Sequence, residues 1–461
     1  MTPWIVRNLV LPVTERVRGG RFRESLAELE RQQWLDPEAL RDLQLQKLRR
    51  LLDHCARNVP YYQRLFRAHG FDPAAVRTLD DLGQLPPLTK ADLQGSAREL
   101  RATNLADRDF LPNQSGGSTG VVTHFFLDPR CADYARAAQF RYYRWIGVDF
   151  GDRQALVWGA PLNLRQARWL TRRLRNFFLN KLFLDANDLT DATIDGYLDT
   201  LQRYRPAIVV GYATGLWFVA ERLVARGLRL PSVRGVVSTA ELLPPQKREV
   251  IERAFGAKVY DRYGCGEMKD IAQGCGESTH SHINADNVLV EFLDEDRPVT
   301  PGEVGEIVAT NLNNFAMPLL RYRLGDLGHT VEERCPCGRG LPLMSVVKGR
   351  LYDVLMLPSG RRVHAALVNH IMYGHSGIQK YQLVQETPTQ LVCRILRTPE
   401  FTVDILARIR EDVRRHLGAD VSIDFEFPEQ IAPSPSGKHR FIYSKVAAAA
   451  PAAGPGTGAG R

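Results

Sequence analysis

The sequence contains no stretch long and apolar enough to cross a membrane as a helix. Its most apolar N-terminal run, Trp4 to Val13, is broken by Arg7, Asn8 and Pro12. A signal-peptide cleavage pattern is also missing, so the cytoplasm is the expected compartment. The seven cysteines are odd in number and irregular in spacing. That argues against a disulfide framework and leaves free thiols and a metal site. No internal repeat is present. Nor does Gly-Lys-Ser/Thr follow the most glycine-rich stretch, which excludes the phosphate loop of the P-loop NTPases.

What the chain does have is length: 461 residues, 44% hydrophobic and 25% charged, enough for two or three domains. A net charge of +9 and a pI near 9.2 draw polyanionic ligands, and suit nucleic acid or an acidic membrane surface equally well. The glycine-rich stretch is Asn113-Gln114-Ser115-Gly116-Gly117-Ser118-Thr119-Gly120. Its glycines let backbone N–H groups approach an anion closely, and its hydroxyls add donors. Read alone, it is as consistent with a flexible surface loop as with a phosphate cradle.

Along the chain, Asp36-Pro37-Glu38 predicts a helix start, followed by Leu45, Leu48, Leu52 and Cys55 at helical spacing and a stop at Asn58-Val59-Pro60. Thr89 is expected to cap a short helix, and Phe140 to Trp145 to lie on an aromatic, basic one. Short apolar runs at 155–158, 207–210, 235–237 and 257–260 then alternate with helical segments such as Thr193 to Tyr204 and Pro245 to Phe255. Such strand–helix units imply a largely parallel sheet with ligands at the carboxyl ends of its strands. From Val288 the pattern changes to antiparallel strands, Val288 to Leu293 and Gly305 to Thr310, and Thr402 to Leu417 reads as an amphipathic helix. The segment Arg165 to Phe183 mixes Arg168, Arg172, Arg173, Arg175 and Lys181 with Trp169, Phe177, Phe178 and Phe183. A structural helix with a solvated basic face is preferred for it over an anionic membrane contact or a polyphosphate contact.

Further stretches give the glycine-rich loop company. Tyr263-Gly264-Cys265-Gly266-Glu267 follows a predicted strand. Arg321-Tyr322-Arg323-Leu324-Gly325-Asp326 sets an acid after a glycine, Gly349-Arg350 opens the last domain, and Ser436-Gly437-Lys438 lies near its end. With Asn58-Val59-Pro60-Tyr61-Tyr62 and Leu85-Pro86-Pro87-Leu88-Thr89-Lys90, this ordered set resembles the adenylate-forming (acyl-activating) superfamily. Within it, the chain is similar to the phenylacetate–CoA ligase-like group, which includes relatives from capsule biosynthesis.

The resemblance implies an α/β fold: a large N-terminal domain of mixed and parallel sheets over 1–349 and a small mobile α+β C-terminal domain over 350–446, with a disordered tail over 447–461. It implies that Ser115, Gly116, Gly117, Ser118, Thr119 and Gly120 hold the β- and γ-phosphates of ATP. Ser238, Thr239, Ala240, Glu241 and Asp261 would line the adenine site, with Tyr263 stacking on the ring beside Gly264. Glu267 would bind Mg2+, Asp326 would accept from the ribose hydroxyls, and Arg350 would reach ribose or phosphate. Lys438 would bridge the substrate carboxylate and the α-phosphate. Tyr212 and Ala240 are acyl-pocket candidates by position. The sequence departs from the pattern at Gly266, where many relatives have Ser or Thr, at Thr239, where glycine is usual, and at Tyr352, which replaces the first acid of the hinge pair before Asp353.

The implied activity is AMP-forming ligation: ATP and a carboxylic acid give an acyl-adenylate, and the acyl group passes to a thiol, CoA. The alternatives are transfer to an amine or hydroxyl in polysaccharide or secondary-metabolite biosynthesis, and a nucleotide-binding relative without catalysis. The expected partners are a small-molecule acid and CoA or another acceptor, with no nucleic acid. A membrane surface is the less favoured partner, and a homodimer is open. Separately, Cys335-Pro336-Cys337-Gly338 is a CxCG knuckle. With Cys275 and His282 (His280 as substitute) it offers three thiolates and an imidazole for structural Zn2+.

Overall fold

The computed structural model describes residues 2–115, 123–158, 176–186, 191–241, 243–350, 354–358, 362–364, 368, 371–372, 375, 377–431 and 442–446. The fold is α/β, and two compact units are distinguished: 1–324 with 328–346, and 325–327 with 347–461.

Local chemistry sets the helix ends of the first unit. Asp36 caps helix Pro37–Asn58 by accepting from the Ala39 N–H at 2.8 Å. Pro37 sits in its first turn, where no amide donor is needed. The Pro60 that follows opens a second helix, Pro60–His69, closed by Gly70 at φ 61°. Thr89 and Asp92 form a reciprocal capping box on helix Lys90–Gly95. Asp128 caps helix Pro129–Trp145 through the Cys131 N–H at 2.8 Å, and its second oxygen accepts from the Phe315 N–H at 2.6 Å. Two further helical stretches, not anticipated from the residue pattern, lie before residue 36, at 3–18 and Phe22–Gln32.

A hairpin of β1 (Leu111–Ser115) and β2 (Thr123–Leu127) pairs Ser115 with Thr123. Next come β3 (Gln154–Trp158), β4 (Lys181–Asp185), β5 (Ile208–Tyr212), β6 (Gly235–Thr239) and β7 (Val259–Cys265). These five lie in the order β4-β3-β5-β6-β7, all parallel, with helices Asp191–Tyr204, Ala213–Ala225 and Pro245–Phe255 as connections. Their buried faces are nearly continuous in Val, Ile and Ala, as a sheet covered on both sides requires.

The change of direction comes earlier than the sequence pattern implies. β8 (Lys269–Gly274) returns antiparallel to β7, before Val288 is reached. Gly264 permits this return: a Cβ there would overlap the Lys269 carbonyl oxygen. β9 (Ser281–Ile283), β10 (Val288–Asp294), β11 (Arg297–Pro298), β12 (Gly305–Asn311), β13 (Tyr322–Val331) and β14 (Leu343–Arg350) complete one twelve-stranded mixed sheet. Its antiparallel part packs on the helices at 37–69, sharing a core of Leu48, Leu52, Tyr62, Ile271, Val288 and Ile307.

In the second unit, β15 (Val354–Met356) pairs with β16 (Arg362–His364). β17 (Ile378–Thr387), β18 (Gln390–Arg397), β19 (Ser422–Glu426) and β20 (Ile442–Ser444) form a four-stranded sheet in the order β19-β18-β17-β20. Helix Val403–Leu417 contributes Ile405, Ile409, Val413 and Leu417 to its core.

Candidate functional site

Parallel pairing in register aligns the carboxyl ends of β5, β6 and β7. Tyr212 lies opposite Thr239, and Ser238 opposite Asp261. This is where an open parallel sheet takes its ligands, because the strands end there and the loops diverge. Ser238 is wholly buried, and its hydroxyl has no hydrogen-bond partner among the described residues. An unmet buried hydroxyl in such a crevice fits a polar ligand edge.

Ala240 follows at φ 66°, a left-handed conformation that a residue with a Cβ rarely adopts. The turn it makes sends Glu241 back to helix Ala213–Ala225, where a carboxylate oxygen accepts from the Thr214 N–H at 2.8 Å. Glu241 therefore has a structural task in this structure, bracing the loop between β6 and its neighbour's helix. Trp158, at the end of β3, stacks on Tyr212 with ring centroids 4.6 Å apart. Sequence reasoning passed over Trp158 as the last residue of an apolar run. Its place at a strand's carboxyl end was the available signal. Burial, with the Glu241 charge adding to it, pushes the Tyr212 phenol up to about 12, so it is neutral and can donate.

Beyond β7 the turn carries Glu267, which is buried and accepts from the Tyr322 hydroxyl at 3.4 Å. Tyr322 is a second residue the sequence reading did not single out for this site. It sits within the Arg321–Asp326 stretch quoted above. Arg321, wholly buried at φ 49°, is ion-paired to Glu291 at 3.0 Å and donates to the Leu85 and Gly83 carbonyls. It thereby ties the Leu85-Pro86-Pro87-Leu88 segment to β13, whose strand also bears Asp326. Two separately noticed sequence motifs are thus one piece of structure.

Ser115 ends β1, and Gly116, Gly117, Ser118, Thr119 and Gly120 lie outside the described residues, as do Tyr352, Asp353 and Lys438. Arg350 is the last residue of β14.

The second candidate centre is complete. The ligand atoms of Cys275, His282, Cys335 and Cys337 all lie within 4.8 Å of one another. His282 Nδ1 faces the Leu341 carbonyl oxygen at 3.0 Å, which fixes the tautomer and leaves Nε2 toward the Cys337 sulfur at 3.3 Å. Cys275 and Cys335 sulfurs are 3.4 Å apart. His280 is outside the group, with its Nδ1 3.1 Å from the Ser345 hydroxyl. Burial holds the His282 imidazole down at about 4, which keeps it neutral. Burial likewise pushes Cys335 up to about 12. For Cys337 burial acts the same way, but hydrogen bonds from Arg339 outweigh it and hold that thiol below its usual value. A buried, neutral imidazole among three close sulfurs is a group that could hold a metal ion.

The family model for the CapK C-terminal domain matches residues 355–445. The phenylacetate-coenzyme A ligase of Thermus thermophilus is 28% identical over 367 residues, covering 76% of this chain and 79% of that protein. Protein CapK of Staphylococcus aureus is 22% identical over 414 residues, covering 88% of this chain and 89% of its own. Among solved structures, 2-hydroxyisobutyryl-CoA ligase in the postadenylation state superposes with a TM-score of 0.73 at 20% identity, covering 91% of this chain and 92% of that one. Family model, curated relatives and fold point the same way: the chain is similar to phenylacetate-coenzyme A ligases and to protein CapK, and shares the fold of acyl-CoA ligases.

Proposed function

We propose that the protein is an AMP-forming acid–CoA ligase, in which ATP and a small carboxylic acid meet at the carboxyl ends of β5, β6 and β7. The observation that carries this reading is the row formed by Tyr212, Ser238, Thr239 and Asp261. Asp261 accepts from the exocyclic amine of adenine, Tyr263 stacks on the ring, and the unmet Ser238 hydroxyl and Thr239 close its edge. Asp326 takes the ribose hydroxyls, and Arg350 reaches ribose or phosphate. The Ser115–Gly120 loop, joining two antiparallel strands, holds the β- and γ-phosphates of the leaving pyrophosphate. Tyr212 with Trp158 forms the aromatic wall of the acyl pocket, next to Ala240.

The acid's carboxylate must attack a phosphorus atom surrounded by anionic oxygens. Lys438 brings its ammonium to both partners and lowers that barrier. Glu267 would hold Mg2+, which would offset the triphosphate charge. Domain limits at 1–349 and 350–446, with a tail over 447–461, let the C-terminal domain withdraw Lys438 before CoA enters.

The test is pyrophosphate release across aryl, fatty and amino acids, with and without CoA. At least one acid is expected to give ATP-dependent release, and a thioester once CoA is present. No release with any acid sinks the enzyme reading. Release without thioester moves the acceptor to an amine or hydroxyl, the second reading.

The four-residue Cys/His group fits Zn2+. Ligands about 2.0–2.3 Å from a tetrahedral ion stand about 3.3–3.8 Å from each other, and the two sulfur contacts above lie in that range. Zinc bound there would tie Cys275, just past β8, and His282 of β9 to the turn before β14. The purified protein is expected to carry about one zinc per chain, and Cys337→Ser to lose it and melt at least about 5 °C lower. Unchanged zinc content in Cys337→Ser removes that residue from the ligand set.

A further inference from the structure

Residues 3–18 form one continuous helix: α-helical at Pro3–Ile5, a wider π turn at Val6–Val10, α-helical again at Leu11–Arg18. One edge is anchored. Val6 and Leu11 are buried against Phe22, Phe140 and Phe150, and Glu15 is ion-paired with Arg23. Arg7 donates to the Phe150 carbonyl at 3.1 Å, and the Pro3 carbonyl presses so closely on Gly151 that a Cβ there would be 2.6 Å from it. The helix is therefore held fast to its domain.

Its other edge is exposed. Trp4, Leu9, Val13 and Val17 are 65%, 54%, 61% and 80% exposed. Leu9, Val13 and Val17 recur every fourth residue, the spacing of a single helix edge. Scattered exposed apolar side chains need no explanation, but a row of large ones on an anchored helix does.

Two neighbours lie at the Pro3 end of this helix. Asn180 donates to the Gly151 carbonyl at 2.7 Å, and its own N–H bonds to the Phe177 carbonyl. This brings Phe177 and Phe178, 61% and 44% exposed, to the same glycine that Pro3 touches. Beside them Pro3 also borders a cleft of about 690 Å³ walled by Arg153, Arg205 and Arg234. Its one acid, Asp152, is already paired with Arg234 at 3.3 Å. Residues 1–23 hold five arginines, of which Arg7, Arg21 and Arg23 are ion-paired with Asp149, Glu24 and Glu15.

We propose that the Trp4–Val17 edge, with Phe177–Phe178 and the arginine cleft, docks on the surface of an anionic lipid bilayer. Tryptophan and phenylalanine partition to the headgroup boundary, aliphatic side chains sit just below it, and arginines meet lipid phosphates. No helix among the described residues is long and apolar enough to cross the membrane, so the association is peripheral. The charge favours lipid over a second copy of the chain. A two-fold contact would set this arginine-rich face against itself, which like charges oppose.

The test is flotation of the full chain with vesicles of phosphatidylcholine alone, or mixed equally with phosphatidylglycerol. Binding is expected to the anionic vesicles only, and to fall as salt rises. Leu9→Asp with Val13→Asp, both at exposed positions, should weaken it at least about tenfold with an unchanged melting curve. Arg205→Glu, which leaves the helix intact, should weaken it at least about fivefold. Equal binding to both vesicles, binding to neither, or wild-type flotation by both variants overturns the proposal. So does a dimer in light scattering that Leu9→Asp with Val13→Asp dissolves, which would give the face to a second copy.

Discussion

Lys438→Ala is expected to release pyrophosphate about 10²–10³-fold more slowly, while still making thioester from a supplied acyl-adenylate and CoA. The asymmetry follows from charge. In the first half-reaction two anions must come together, and a cation touching both is worth most at the transition state. In the second half-reaction a thiol attacks an activated carbonyl with AMP as leaving group, and the need for Lys438 at the α-phosphate is gone. Separate assays of the two half-reactions read this directly. Equal loss in both would contradict the withdrawal of Lys438 between steps. Full pyrophosphate release by Lys438→Ala would remove it from the chemistry altogether.

Asp286→Ala should destabilise the protein by about 3–5 kcal/mol, seen as a lower denaturant midpoint. Asp286 and Arg141 are both wholly inaccessible to solvent and form an ion pair. Arg141 also donates to the Leu29 carbonyl at 3.1 Å and to the Asn284 side chain. This one guanidinium fastens helix Phe22–Gln32 and helix Pro129–Trp145 to the chain just before β10. Removing its carboxylate leaves a buried charge without compensation, which costs far more than the pair itself is worth. Replacing both partners by apolar residues, Arg141→Met with Asp286→Leu, is accordingly expected to cost much less than Asp286→Ala alone. A single-variant loss below about 1 kcal/mol would show that water reaches Arg141 after all.

These two residues also mark what could be read in advance. Helix starts at Asp36, Thr89 and Asp128 rest on chemistry local to a few residues; Asp36 and Thr89 were picked out from sequence, and Asp128, equally local, was passed over. The alternating strands and helices between 155 and 260 are visible because buried parallel strands are uniformly apolar. Cys335 and Cys337 announce themselves by spacing. Arg141 and Arg321 do not, because a charged residue reads as surface until its partner, more than a hundred residues away or thirty away on another strand, is known. The return at β8 is not legible because Tyr263 to Glu267 reads as a ligand motif, and Gly264 also serves the hairpin. The left-handed turn at Ala240 has no signature, since alanine is the residue least expected there.

The tie between the Leu85–Leu88 segment and Arg321 has a further consequence, in the order of synthesis. Tyr62 donates to the Pro318 carbonyl across 256 residues, and Arg321 reaches Leu85 across 236. The helices at 37–69 share their core with strands made only after residue 268. At about 5–20 residues per second, roughly 10–50 s pass between the appearance of these helices and that of the strands they pack on. For that interval Leu48, Leu52 and Tyr62 have only the N-terminal part of their core, such as Phe66, Val76 and Leu82, and the growing chain presents their remaining apolar surface to whatever chaperones attend the ribosome.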